Sequence, residues 1–186
     1  MKVLLAALLA VSTMFGISAQ KFKPVPTFLK GEQQINVIFD YSKIKFDKDA
    51  QNKYYEYKGK EWVEEWEGKR KEANESYFIS TFNQETSKIG LMFGSYPEAQ
   101  YTLIVDVLNC DFGAYAGPFS VPAKIKGDMQ IVKTGTSETL SIAATFKEKQ
   151  NPYSVIGTPV DFDRISLAFG ELAEEVGETL VKALKK

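Results

Sequence analysis

Histidine is absent from all 186 residues, and that absence excludes much familiar chemistry. No Ser-His-Asp or Cys-His system can form, because nothing supplies the imidazole base. Zinc, copper and non-haem iron sites built on imidazole are excluded with it. Carboxylate, lysine and tyrosine chemistry survives, as do all-oxygen calcium sites. Cysteine occurs once, at Cys110. As a nucleophile it would need a base, a cation or a helix N-terminus to lower its pKa, and its neighbours Asn109 and Asp111 carry no positive charge. It reads as a small apolar residue ending a strand, with an interchain disulfide as its other role in an oxidising compartment. A basic excess is missing as well. The chain has 23 Lys and Arg against 24 Asp and Glu, which argues against nucleic acid as a partner.

Long apolar runs are missing beyond the N-terminus, so no transmembrane segment is expected. The start itself has three parts: Lys2, the apolar "VLLAALLAV" at 3–11, and the small-residue stretch "ISA" at 17–19. This is the layout of a secretory signal peptide, with cleavage expected after Ala19. No cysteine lies there to carry a lipoprotein anchor. Removing 19 of the 186 residues leaves 167, enough for one domain with a real core. We therefore divide the chain into a signal peptide at 1–19, an extended lead-in at 20–34 that carries Pro24, Pro26 and Gly31, and a single α+β domain at 35–186.

What is present is a series of clear periodicities. "INVIFDY" (35–41) alternates as a half-buried strand, and "YTLIVDVL" (101–108) is the most apolar strand. "AKIKGDMQIVK" and "TLSIAATF", joined through "TGTS" (134–137), read as an antiparallel hairpin with Ile125, Met129 and Ile131 on one face. Leu140, Ile142, Ala144 and Phe146 are expected on that same face. The stretch 42–60 has no steady period and reads as a loop. From Glu61 the spacing turns helical, with Trp62, Trp66, Ala73 and Tyr77 as the stripe and Gly68 as a weak point. The last segment is an amphipathic helix burying Ile165, Phe169, Leu172, Val176, Leu180 and Ala183, with Asp163 as its N-cap. Ser166, Gly170, Ala173 and Gly177 form a row of small residues that would let it approach a sheet closely. The order β-α-β-β-β-α predicts a two-layer α+β fold. Its sheet is expected to have four mainly antiparallel strands, with both helices on one face.

The other face of that sheet carries the first candidate site. Ile38, Ile104, Leu108 and Val132 are more apolar than solvent requires, and Cys110 joins them if alternation continues past Leu108. Either a loop packs over them or they form a partner surface. The second candidate is "YYEYKGKEWVEEW" (54–66). There Tyr54, Tyr55 and Tyr57, beside Trp62, Trp66 and acidic residues, could stack sugar rings. Glu61 and Glu65 lie one turn apart on one helix face, whereas glycosidase carboxylates must face each other across a substrate. The better reading is a tryptophan-rich core stripe with a solvated acidic face. The doublets Asp47/Asp49 and Asp161/Asp163 lack the glycine and glutamate of an EF-hand loop. No catalytic residue, metal site or cofactor is expected.

The signal peptide ending "SAQ", "YTLIVDVLNCDFG", the hairpin and the closing "RISLAFGELAEEVGETLVKALKK" together resemble small secreted proteins of Bacteroidota. In architecture they are also similar to the periplasmic α+β domains of envelope lipoproteins of the peptidoglycan-synthase-activator and curli-secretion-channel type. This resemblance implies a non-enzymatic binding or assembly role in the periplasm or at the outer membrane. Its partners would be envelope proteins or a homo-oligomer. A carbohydrate-binding module or carboxylate-based hydrolase using 54–66, and a structural oligomer-forming subunit, are the alternatives.

Overall fold

The computed structural model describes residues 21–115, 121–149 and 160–186. The expected signal peptide, its cleavage point, and residues 116–120 and 150–159 lie outside the described residues. The chain folds as an α+β structure around one mixed sheet.

The alternating "QINVIFD" forms β2 (Gln34–Asp40), after a short β1 (Phe22–Lys23) in the lead-in. A charged segment then makes the small hairpin β3 (Lys45–Phe46) and β4 (Asp49–Ala50). Helices α1 (Gln51–Lys58), α2 (Lys60–Glu65) and α3 (Lys71–Thr86) follow, with a π-helical turn at Trp66–Arg70 between the last two. The chain returns through β5 (Met92–Gly94) to the long strands β6 (Tyr101–Asp111), β7 (Lys124–Lys133) and β8 (Thr139–Lys149). It closes with α4 (Asp161–Leu184).

The strands lie in the order β1-β8-β7-β6-β2-β5, with β3 joined to the far end of β6. The sheet is therefore wider than four strands, and it is mixed. β6, β7 and β8 are antiparallel neighbours, but β2 runs parallel to both β6 and β5. The parallel pair follows from the helical crossover between β2 and β6, which two tight turns could not supply. The 42–60 segment is structured rather than a loop. Its β3 is held on β6 by Asn109, whose side-chain amide donates to the carbonyls of Lys45 and Asp47 at 3.2 and 2.9 Å.

Both long helices cover one face of the sheet. That inner face is lined by Ile35, Leu103, Val105, Val107, Ile125, Met129, Ile131 and Phe146, all fully buried. Each such aliphatic or aromatic side chain contributes about 1.5–3 kcal/mol through burial. Phe39 of β2 meets both helices, edge-on to Phe78 of α3 and Phe169 of α4.

Three helical details differ from the sequence expectation. The buried stripe of α3 is Asn74, Phe78, Phe82 and Thr86, while Ala73 and Tyr77 are exposed. The π turn is the reason: it contains Gly68 and adds one residue to the helical repeat, rotating everything after it. The small residues of α4 face α3 rather than the sheet. Ser166 donates to Asn74 at 2.6 Å, Gly170 lies under Tyr77, and Gly177 under Phe82 and Glu85. Asp163 is not the N-cap. The helix starts two residues earlier, after Val160, and Asp163 lies in its first turn, paired with Arg70.

Three register shifts set which residues reach which face. Val107 pairs with Gly127, but Asn109 pairs with Lys126, so Leu108 is an extra residue in β6. In β8 the register slips twice, between the partners of Gly127 and Met129 and between those of Ile131 and Val132. Each slip exchanges inside for outside as far as the next slip or the end of the strand. Cys110 is thereby turned to the inner face, opposite Ile125, and is fully buried. Ile142 is turned outward and Ala143 inward, the reverse of the expected alternation. Gly127 stands between the β6 bulge and the first slip of β8. A Cβ there would lie 1.9 Å from the Asp106 carbonyl oxygen and 2.4 Å from the Phe146 ring, so only glycine fits.

Candidate functional site

The outer face of the sheet carries no helix among the described residues, and its side chains lie in rows that cross the strands. At one end the face is closed. Tyr96 N–H donates to Asn36 Oδ1 at 3.0 Å, Asn36 donates to the Thr102 hydroxyl at 3.3 Å, and that hydroxyl lies 2.9 Å from the Thr134 hydroxyl. Thr134 N–H in turn donates to the Gln100 carbonyl. The turn at 95–100 is thus knitted over this end, and Val132, in the same row as Thr102, is buried.

The next row is open and apolar. Ile38 pairs with Ile104, Ile104 with Gln130, and Gln130 with Ile142. Ile38 and Ile142 are 48% and 53% exposed, with Ile104 and Gln130 between them. Lys23 of β1 flanks Ile142 at the sheet edge. One step further along the strands comes a row of three carboxylates, Asp40 beside Asp106 beside Asp128. These aspartates line a shallow recess with Ser42, Lys43 and Leu108.

The carboxylates do not share one environment. Asp40 accepts the Ser42 N–H at 2.7 Å, and this bond, helped by nearby Lys43, holds its carboxyl below the usual range. The Asp106 carboxyl, between the other two, is pushed up, first by burial and then by the charges of Asp40 and Asp128. No three acidic or cysteine side chains among the described residues are placed to hold a metal ion.

Of the expected partner-surface residues, the structure brings together Ile38, Ile104 and Leu108. It withdraws Val132, beneath the 95–100 turn, and Cys110, through the bulge. Burial drives the Cys110 thiol far above its ordinary pKa, with Asp47 adding to the effect. The three aspartates fall on this face by strand alternation but were not singled out, and Ile142, expected on the inner face, joins them. Their common signal was parity, since each aspartate lies two residues from an outward aliphatic or amide position on its own strand.

The second candidate, the aromatic stretch, folds inward. Phe46 of β3 stacks on Tyr54 with ring centroids 5.0 Å apart and meets Trp66 edge-on at 5.1 Å. Trp62 stacks on Trp66 at 5.9 Å, and Phe112 and Phe162 close the group. Trp66 is fully buried and Tyr54 nearly so. The Tyr55 hydroxyl is occupied by Glu67, which also pairs with Lys71. Tyr57, at 82% exposure, sits at the rim, its ring centroid 6.5 Å from that of Tyr54. These rings spend their faces on one another. The cluster anchors the β3–α2 segment to the domain, with Arg70 stacked on Phe162 at 4.8 Å as its rim. Asn74, which opens the Asn-Glu-Ser glycosylation triplet at 74–76, is buried as well.

No helix among the described residues is long and apolar enough to cross a membrane. No family model and no curated protein matches the chain. Among solved structures, the PelC dodecamer from Paraburkholderia phytofirmans is similar at a TM-score of 0.43 and 11% identity, with 87% of this chain and 95% of that chain covered. A methionine-substituted form of the same dodecamer gives 0.45 and 12% over the same shares. Likeness at this level carries no function or assembly state across to this chain.

Proposed function

We propose that this chain is a non-enzymatic binding or assembly protein of the bacterial cell envelope, exported by its N-terminal leader, that holds a protein partner on the outer face of its sheet. The observation that carries this reading is the open apolar row. Ile38 and Ile142 sit at opposite ends of a line that includes Ile104, on a face where no described helix packs. Burying such a row removes apolar surface from water at about 25 cal/mol per Å² and gives a partner a reason to dock there. The carbohydrate reading loses its support, because Trp62, Trp66 and Tyr54 are packed against one another.

A pull-down from envelope extract tests this role. The wild-type protein should retain a defined component that the Ile38→Asp/Ile142→Asp variant, equally folded by circular dichroism, fails to retain. Equal capture by both proteins would remove the sheet face from the function.

A further inference from the structure

We propose that the occupant of the outer sheet face is a cationic amphipathic segment laid across the strands. It would seat an apolar stripe on Ile38, Ile104 and Ile142 and a flanking line of lysine or arginine side chains on Asp40, Asp106 and Asp128. This rests on the binding role proposed above and names the chemistry of the partner.

Two rows argue for it together. The isoleucine row and the aspartate row both run across β2, β6 and β7, and both are fixed by the strand register. They are two residues apart along each strand, roughly 6.5 Å. An occupant lying across the strands therefore meets both rows at once. Like charges directly opposite each other on adjacent strands are unfavourable, yet three carboxylates stand in line here. None of the three forms an ion pair with a described residue, and Lys43 is the one cation whose charge acts on both Asp40 and Asp106. A partner that brings positive charge offsets that repulsion, while its apolar stripe covers Ile38 and Ile142. A negatively charged surface, whether phosphate-rich lipid or nucleic acid, is repelled by the same row of carboxylates. The four strands from β2 to β8 span roughly 14 Å, the length of about ten residues of helix.

The test uses the purified protein and two short helical peptides, one of leucine and lysine and one with glutamate replacing every lysine. The leucine–lysine peptide should bind at least about tenfold more tightly at low salt, and the difference should shrink at high salt. The Asp106→Asn/Asp128→Asn variant should lose about tenfold in affinity for the lysine peptide while its thermal unfolding midpoint stays the same or rises. Ile38→Ser/Ile142→Ser should weaken binding of both peptides. Equal affinity for the two peptides, or an aspartate variant that binds as well as wild type, would overturn the proposal. So would binding of phosphatidylglycerol vesicles through the isoleucine row. If the aspartate variant still captures the envelope component and the isoleucine variant does not, the cationic occupant is wrong and the binding role stands. If the isoleucine variant also captures it, the binding role falls as well.

Discussion

Single residues decide which groups this fold presents and which it hides. Leu108, the extra residue of the β6 bulge, turns Cys110 away from the surface and under the helices. Thiol chemistry requires the thiolate, and a fully buried sulfur with a strongly raised pKa supplies almost none. Cys110 should therefore resist alkylation in the native protein at pH 8 and react fully once the protein is denatured. Non-reducing electrophoresis should show no disulfide-linked dimer. Gly127 is just as constrained. Gly127→Ala places a methyl group against the Asp106 carbonyl and the Phe146 ring, and should cost about 1–3 kcal/mol in denaturant unfolding. Asp106 has the opposite sign. Its carboxyl titrates above its unfolded value, so the folded state holds the proton more tightly than the unfolded chain does. Ionisation of Asp106 therefore costs stability as pH rises through the carboxylate range. Asp106→Asn should stabilise the protein at pH 7 by a few tenths of a kcal/mol, up to about 1. The gain should fade as pH falls below about 4, where the unfolded carboxylate is itself protonated.

Elements were legible where their period was strong and unbroken. The inner faces of β2, β6 and β7 and the buried stripe of α4 follow directly from alternation and from 3.6-residue spacing. Four features broke the period without leaving a local signal. The π turn at Trp66–Arg70 shifted the stripe of α3 by one residue, and three register shifts inverted parts of β6 and β8. A bulge answers to the strand across from it, here to a glycine that no side chain can replace, so the sequence of the bulged strand does not announce it. The hairpin β3–β4 was missed for a related reason. Two-residue strands are too short for a period, and Phe46 gains its place only from the aromatic cluster around it. Helical glycines provide a two-sided test at this scale. Gly177 lies against Glu85 and Phe82 of α3, and Gly177→Val should cost about 1–3 kcal/mol by forcing the helices apart. Gly68, in the π turn, has open space around it and no positive φ, so Gly68→Ala should add about 0.5–1 kcal/mol. Thermal unfolding of the two variants should move in opposite directions.

At the scale of the whole molecule, a two-layer α+β arrangement with the long helices on one face was readable, because every main element carries a single apolar side. The width and mixed direction of the sheet were not, since pairing partners are chosen through space. The same limit hid how the residues of the candidate surface line up. Asp40, Asp106 and Asp128 are far apart in sequence, and only the β2–β6–β7 register sets them side by side. The aromatic cluster of Phe46, Tyr54 and Trp66 is packed inside, while Ile38 and Ile142 stay open beside an acidic row, and the proposed role rests on that face. The measurement that tests this most directly is photo-crosslinking in cells, with the probe placed in turn at Ile38, Ile142 and Tyr57. All three positions are exposed, but only the first two lie on the outer sheet face. Positions 38 and 142 should yield the same discrete protein adduct, and position 57 should yield none. Adducts at 57 alone, or unrelated adducts at 38 and 142, would contradict a binding role for the sheet face.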